Sequence, residues 1–221
     1  MDYKDYKGYK SLPFFQQSEV IYDFTVEFCE KYVSKFSRTL DQMTQAARSG
    51  KQNIAEGYLQ KSLEGRIKLL GVARGSLEEL LQDFLDFLRQ RNLKLWLMDS
   101  DESRAVRRLV YNRYKSYNDY KVYMENPEEA ANAMICLINQ TNQLLDQKLR
   151  WTEEKFVQEG GFRENLFKKR RDYKNYIVFV SAGAIAAAGV EQAVIVKSSK
   201  LSLMSNNKCQ MSNQCQIPKF K

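Results

Sequence analysis

Histidine is absent from this chain. Its absence removes the usual general base, the Ser–His and Cys–His nucleophile pairs, and most catalytic zinc sites. Any catalysis would have to run on carboxylates, lysine or tyrosine. Proline is scarce, with 3 residues in 221, and there are only 10 glycines. So few breakers argue for long helices rather than many turns. Cysteine is limited to Cys29, Cys136, Cys209 and Cys215. The first two fall inside apolar helical patterns and read as small buried hydrophobes. The other two sit in a polar tail, with no CxxC spacing and no histidine to complete a metal site. No secretory leader is legible either, since MDYKDYKGYKSL lacks an apolar core. The expectation is a reduced, cytoplasmic setting with no metal and no cofactor.

What is present suits one helical domain with an appendage: 43% hydrophobic and 28% charged residues. The formal charge is +8; residues 172–221 hold six basic and two acidic side chains, which leaves +4 for residues 1–171. The excess is mild, so local clustering matters more than the total.

Residues 1–12 repeat a Tyr-Lys theme and read as a flexible arm. A helix is predicted from Pro13, a residue suited to a first turn, to about Lys35, with Val20, Phe24 and Phe28 on one face. Thr39 and Gln42 fit a capping box for a second helix. Leu40, Met43, Ala47, Gly50, Ile54 and Gly57 then recur at spacings of three and four. Small residues on that seam let neighbouring helices approach closely. Ser62 is positioned to cap a third helix, with Leu63, Ile67, Leu70, Leu77, Leu81, Phe84 and Leu88 as its stripe and Arg74 at the one polar seam position. DSDES (99–103) restarts the chain into a fourth helical stretch from about Arg104 to Glu125. Pro127 opens the last long helix, which runs through Met134, Ile138 and Leu145 until Glu159-Gly160-Gly161 stops it. No strand-period segment of any length appears. The expected fold is all-α: an up-down bundle of four to five long helices over 13–171, followed by an appended tail over 172–221. In that tail, residues 177–196 are an apolar run interrupted by Glu191 and Gln192. Their length and basic flank permit a membrane span, while Glu191 makes one costly, so a docking segment stays open as the alternative. The end of the chain is low-complexity and reads as disordered.

The stretch QAARSGKQNIAEGYLQ (45–60) raises the question of a phosphate loop. Such a loop needs a glycine five residues before the Gly-Lys and Ser or Thr after it. Here positions 45 and 52 are both glutamine, and the helical seam continues through the stretch. No nucleotide site follows. Adjacent glutamates on a helix diverge by about 100° and cannot share a substrate face, and no catalytic residue is assigned. Asn53, Glu56, Arg74 and Glu78 read instead as a polar network that fixes helix register. Arg48 and Lys51 lie one turn apart, forming either a small cationic face or a solvated one.

Segments QMTQAARSGKQNIAEG and ARGSLEELLQDFLDFLRQRNLKLW resemble the four-helix-bundle proteins encoded in 23S rRNA intervening sequences. That family includes the accessory variability protein of diversity-generating retroelements. PEEAANAMICLINQTNQLLDQKL, with EGGFRENL beyond it, is similar to the longer variant carrying a suffix domain. The match spans about Gly8 to Arg171. The resemblance implies an up-down bundle, a ring-like homopentamer and no enzymatic activity. In the retroelement branch it also implies a basic surface for a reverse transcriptase and its nucleic acid.

The local candidate for such a surface is RAVRRLVYNRYKSYNDYKVY (104–123). Arg104, Arg107, Arg108, Arg113, Lys115 and Lys121 face a single acid, Asp119. Tyr111, Tyr114, Tyr117, Tyr120 and Tyr123 recur every third residue, which on one continuous helix wraps the rings around the rod. Exposed rings beside cations, Tyr114 and Tyr117 among them, are what RNA or single-stranded DNA binding requires. The competing reading packs those tyrosines half-buried at a subunit or protein interface. The expected function is therefore a non-enzymatic oligomeric bundle that binds nucleic acid or a nucleic-acid enzyme. The alternative is a self-assembling scaffold with protein-only contacts, possible as a membrane-tethered form through 177–196.

Overall fold

The computed structural model describes residues 8–110 and 116–180. The chain divides into two compact units, Met1–Phe162 and Arg163–Lys221. In the first unit, four long helices carry the fold: α1 (Pro13–Tyr32), α2 (Arg38–Leu59), α3 (Leu63–Gln90) and α6 (Pro127–Glu159). Between α3 and α6 the chain makes an excursion containing two short helices, α4 (Asp101–Leu109) and α5 (Tyr117–Tyr120), and a 3-10 turn over Lys121–Glu125. There is no strand among the described residues. The fold is an all-α helical bundle.

The local chemistry sets the ends of these rods. Pro13 opens α1 and Pro127 opens α6, where a missing N–H costs nothing. Ser62 caps α3 by accepting from the Gly65 N–H at 3.0 Å. The α2 cap is Ser37, which accepts from the Thr39 N–H, rather than the Thr39 expected from its spacing to Gln42. Ser37 sits two positions closer to the break that Val33 and Ser34 begin, so it reaches the free amides first. At the far end of α3, Asn92 takes a φ of 53°. Leu93 and Asn92 return their N–H groups to the carbonyls of Leu88 and Arg89, a Schellman closure. Gly160, with φ of 77°, ends α6 where a side chain would be strained.

Neighbouring rods run antiparallel, as the cross-contacts show. Cys29 near the end of α1 meets Met43 near the start of α2. Gly50 of α2 faces Leu77 of α3, and Gly57 faces Leu69 and Leu70. Gln17 of α1 accepts from Thr141 of α6, while Lys31 and Tyr32 donate to the Met124 carbonyl just before α6 begins. The order around the bundle is α1, α2, α3, α6, up and down in turn.

Each seam residue read from periodicity lands in the core or at its edge. Met43, Ala47, Gly50, Ile54 and Gly57 are buried in α2, as are Leu70, Leu77, Leu81, Phe84 and Leu88 in α3. Phe28 is a hub, its ring within 4.9 Å of Phe84 and 4.8 Å of Phe87. Each large apolar side chain so enclosed contributes about 1.5–3 kcal/mol relative to exposure. Cys29 is fully buried, and burial pushes its thiol up to about 11, which keeps it protonated and inert. Cys136 is half-buried, its thiol also pushed up by burial and set 3.7 Å from the Ser103 hydroxyl. Cys209 and Cys215 lie outside the described residues.

Two expectations need correction. Of the arm expected over 1–12, residues 1–7 lie outside the described residues, and Gly8–Ser11 is a 3-10 turn rather than a free segment, because Tyr9 packs edge-on against Phe15 at 4.8 Å. The expected helix from Arg104 to Glu125 is also not continuous. The chain leaves the helix at Val110 and restarts at a capping box in which Ser116 and Asp119 satisfy each other's backbone amides. Of the apolar run 177–196, residues 181–196 lie outside the described part. Among the described residues no helix is long and apolar enough to cross a membrane. In the second unit, residues 163–180 form one helix.

The α2–α3 contact generates a direct test. A Cβ built on Gly50 would stand 2.9 Å from both Cγ and Cδ2 of Leu77. We predict that Gly50→Ala destabilises the fold by about 1–3 kcal/mol, even though alanine is the better helix former. Urea unfolding measures it, and an unchanged or higher midpoint would contradict the close approach.

Candidate functional site

The polar network expected around Arg74 and Glu78 exists, with different partners. Arg74 sits on α3 among apolar neighbours, and its guanidinium bridges two helices. Nη1 donates to Glu78 at 2.8 Å, and Nε donates to Asp146 of α6 at 3.1 Å. Glu78 accepts also from Gln82 at 3.1 Å and from the Asn142 amide at 3.4 Å. The Arg74 hydrogen bond, ahead of the smaller effect of Gln82, holds the Glu78 carboxyl below the usual glutamate range. Asn53 and Glu56 do not join it. The Asn53 amide donates to the Ser49 carbonyl at 2.9 Å and to its hydroxyl at 3.1 Å, and Ser49 meets Ser76 across the α2–α3 contact at 2.9 Å. Glu56 is exposed on the outer side of α2. Helical geometry separates Glu56 from Asn53 because the three-residue step still leaves about 60° between them.

The pair Arg48 and Lys51 also separates. Arg48 is exposed. Lys51 turns toward α1, its ammonium 4.0 Å from the centre of the Tyr22 ring. It faces Glu19 and Asp23, whose carboxyls burial raises and whose shift the Lys51 charge opposes. A cation so engaged is poorly placed to hold a phosphate. The adjoining α2–α3 groove, about 740 Å³ in volume, is lined by Asp41, Glu79 and Asp83 with Arg38 as the cation. Burial raises the Asp83 carboxyl, and Asp86 and Glu79 raise it further. This groove repels anions.

On α4 the arginines take three roles. The Arg107 guanidinium donates to the Met98 carbonyl, and the Arg107 carbonyl accepts from Gln140 of α6 at 3.2 Å, so this residue anchors the excursion. Arg104 is exposed, loosely beside Asp101 at 3.8 Å. Arg108 is exposed one turn further on, and Lys121 is exposed on the 3-10 turn. Arg113, Lys115 and Tyr114 lie outside the described residues, as does Tyr111. The remaining tyrosines face inward. Tyr117 packs on Phe24 with centroids 6.1 Å apart, and its hydroxyl donates to Glu27. Tyr120 is 1% exposed, and Tyr123 packs against Trp96 at 6.3 Å. Tyr117, Tyr120 and Tyr123 lie on α5 and the following 3-10 turn, where a three-residue step keeps all three rings against the core. Tyr117 is therefore half-buried rather than standing free beside the cations.

Sequence reasoning missed two features. Asn132, 1% exposed, pins the excursion: its amide donates to the Lys94 carbonyl at 2.8 Å, and its Oδ1 accepts from the Trp96 N–H at 2.8 Å. An asparagine set between Ala131 and Ala133 in an apolar stretch of α6 was the available signal. The second feature is Gly71 and Gly75, both exposed on α3, where an added Cβ would meet nothing within 4 Å. Their four-residue spacing was the signal. No group of three or more His, Cys, Asp or Glu side chains is arranged to hold a metal among the described residues. Compared with models of known families, with curated proteins and with solved structures, the chain finds no match.

Because the folded-state pKa of Glu78 is depressed, its stabilisation is present above the ordinary glutamate range and is lost as pH falls through the folded value. Glu19, Asp23 and Asp83, raised in the folded state, act in the opposite sense. The stability difference between wild type and Glu78→Gln is therefore expected to shrink as pH is lowered from about 7 to about 3. A difference independent of pH in thermal unfolding would show that the Arg74–Glu78 pair carries no charge-dependent stability.

Proposed function

We propose that this chain is a non-enzymatic helical bundle that assembles with copies of itself through the outward face of α3. The observation that carries this reading is the contrast between two sets of glycines. Gly50 and Gly57 are accounted for inside the bundle, where Leu77, Leu69 and Leu70 press against them. Gly71 and Gly75 have open space where a side chain would stand. Each costs about 1 kcal/mol of helix propensity relative to alanine, with no return inside one copy. Glycines one turn apart on an exposed face allow another helix to approach closely. Val72 beside them is 45% exposed and adds apolar surface. Lys68 lies about a turn before the pair and Glu79 a turn after. The face therefore complements itself when two copies cross in opposite directions. The resemblance to the intervening-sequence proteins, which implies a homopentamer, supports assembly in general, and the glycines suggest the face.

Alanine substitution separates the roles. Gly71→Ala with Gly75→Ala should raise the stability of a dissociated chain by about 1–2 kcal/mol, while shifting self-association to higher protein concentration. Sedimentation equilibrium and thermal unfolding read the two effects. A wild-type chain that stays a monomer to about 100 μM would end the proposal.

A second reading rests on Arg104 and Arg108, exposed one turn apart on α4 with Lys121 also exposed. Such a row can contact phosphates of RNA or DNA, and by resemblance those of a nucleic acid held by a reverse transcriptase. Three such contacts would weaken RNA binding by roughly 20- to 40-fold between about 50 and 200 mM salt. Binding unaffected by Arg104→Gln with Arg108→Gln would remove α4 as that surface.

A further inference from the structure

We propose that the helix over 163–180 lies on an anionic lipid surface. Its sequence, RENLFKKRRDYKNYIVFV, carries Arg163, Lys168, Lys169, Arg170, Arg171 and Lys174 against Glu164 and Asp172, a net charge of +4. At 100° per residue, Leu166, Tyr173, Ile177 and Val180 fall within an arc of about 60°. Lys169 and Tyr176 border that arc on one side, and Arg163, Arg170 and Lys174 border it on the other. The helix therefore carries an apolar stripe with cations along both edges, and Phe167, Val178 and Phe179 add exposed apolar surface beyond those edges.

Exposure agrees with the pattern. On the stripe and its border Leu166 is 55% exposed, Tyr173 55% and Tyr176 65%, Ile177 and Val180 are half-buried, and all six cations are exposed. Arg171 lies 3.7 Å from Asp172. Flanking cations on long stems can reach headgroup phosphates while the stripe enters the acyl boundary, the geometry of an interfacial helix. Duplex or single-stranded nucleic acid would satisfy the cations but leave leucine, isoleucine and valine against water. A second copy of the same helix would set +4 against +4. An anionic membrane satisfies both halves of the pattern. In sequence the segment SAGAIAAAGVEQAVIV (181–196) follows, so the basic cluster is succeeded by apolar residues.

The experiment is co-sedimentation of the full-length chain with vesicles of phosphatidylcholine alone and vesicles with about one third phosphatidylglycerol. Binding to the anionic vesicles is expected, with much weaker binding to the neutral ones and release as salt rises from about 50 to 500 mM. Each cation near the surface contributes on the order of a fivefold gain in partitioning. Lys168→Gln, Lys169→Gln, Arg170→Gln and Arg171→Gln together should therefore cost roughly 100-fold or more. Leu166→Asp with Tyr173→Asp, which keep the cations, should also abolish binding while the helical circular dichroism of the bundle persists. Equal binding to both vesicle types would overturn the proposal in favour of insertion by the apolar run. No binding to either, or binding to RNA by the same cations without lipid binding, would overturn it as well.

Discussion

The bundle depends on how closely α2 approaches α3. Gly50 and Ala47 remove side chains from the inner face of α2 where Leu77 and Ala73 of α3 come in, and those four positions are buried. The Ser49–Ser76 hydroxyl contact at 2.9 Å is possible only at that separation. Close packing of backbones is unforgiving in a dense interior, where one extra methyl cannot be absorbed locally. Once α2 and α3 are paired, their two wider grooves remain, and the larger side chains of α1 and α6 fill them. Phe24 and Phe28 enter from α1, Met134 and Ile138 from α6. The division of labour follows from residue size: small residues join the central pair, and aromatic and branched residues complete the ring of four.

Closing that ring requires the chain to return from the end of α3 to the start of α6, and the excursion does so with backbone polar groups that have no helical ladder to join. Asn132, Glu128 and Gln140 of α6 meet those groups from below. Glu128 accepts from the Lys94 N–H at 2.9 Å, and Gln140 donates to the Arg107 carbonyl. The tyrosines and Met124 seal the top of the core. Tyr120 pays for its position, since its hydroxyl is buried with no hydrogen-bond partner among the described residues. This use of tyrosine as a plug explains why a segment rich in tyrosine and arginine presents Arg104 and Arg108 outward while its described rings point in. It also directs attention away from base stacking and toward contacts made by the bundle's outer faces.

Much of this was readable from residue order. The long helices, their apolar seams, Pro127 as a start and Gly160 as a stop all rest on local rules that tertiary packing reinforces. Arg74 announced itself as the polar residue in an apolar stripe, and it is an interhelical bridge. What periodicity could not show is the break after Leu109. A three-residue period fits a helix wrapped in tyrosine and fits equally a chain that turns and presents each ring to the same core. The choice is made by Ser116 and Asp119, whose capping box competes with helix continuation and whose signal is as short as dozens of others in the chain. The actual neighbours of Lys51 and Glu56 were not legible for a related reason. Their surroundings depend on which helix packs on which side of α2, and a single rod's sequence does not carry that information. Gly71 and Gly75 were overlooked because a glycine on an outward face leaves no gap in an apolar pattern.

Those two glycines are where the account is most exposed to test. If α3 meets another copy, Val72 lies at the contact, and Gln52 on the exposed side of α2 lies away from it. Replacing each in turn with a photoreactive benzoylphenylalanine, in the full-length protein, asks the question without relying on cysteine. The account predicts that illumination joins one chain to another from position 72 and not from position 52, with adducts mapping to residues of α3. Illumination that yields no chain-to-chain product at 72, or equal product at both positions, would contradict it.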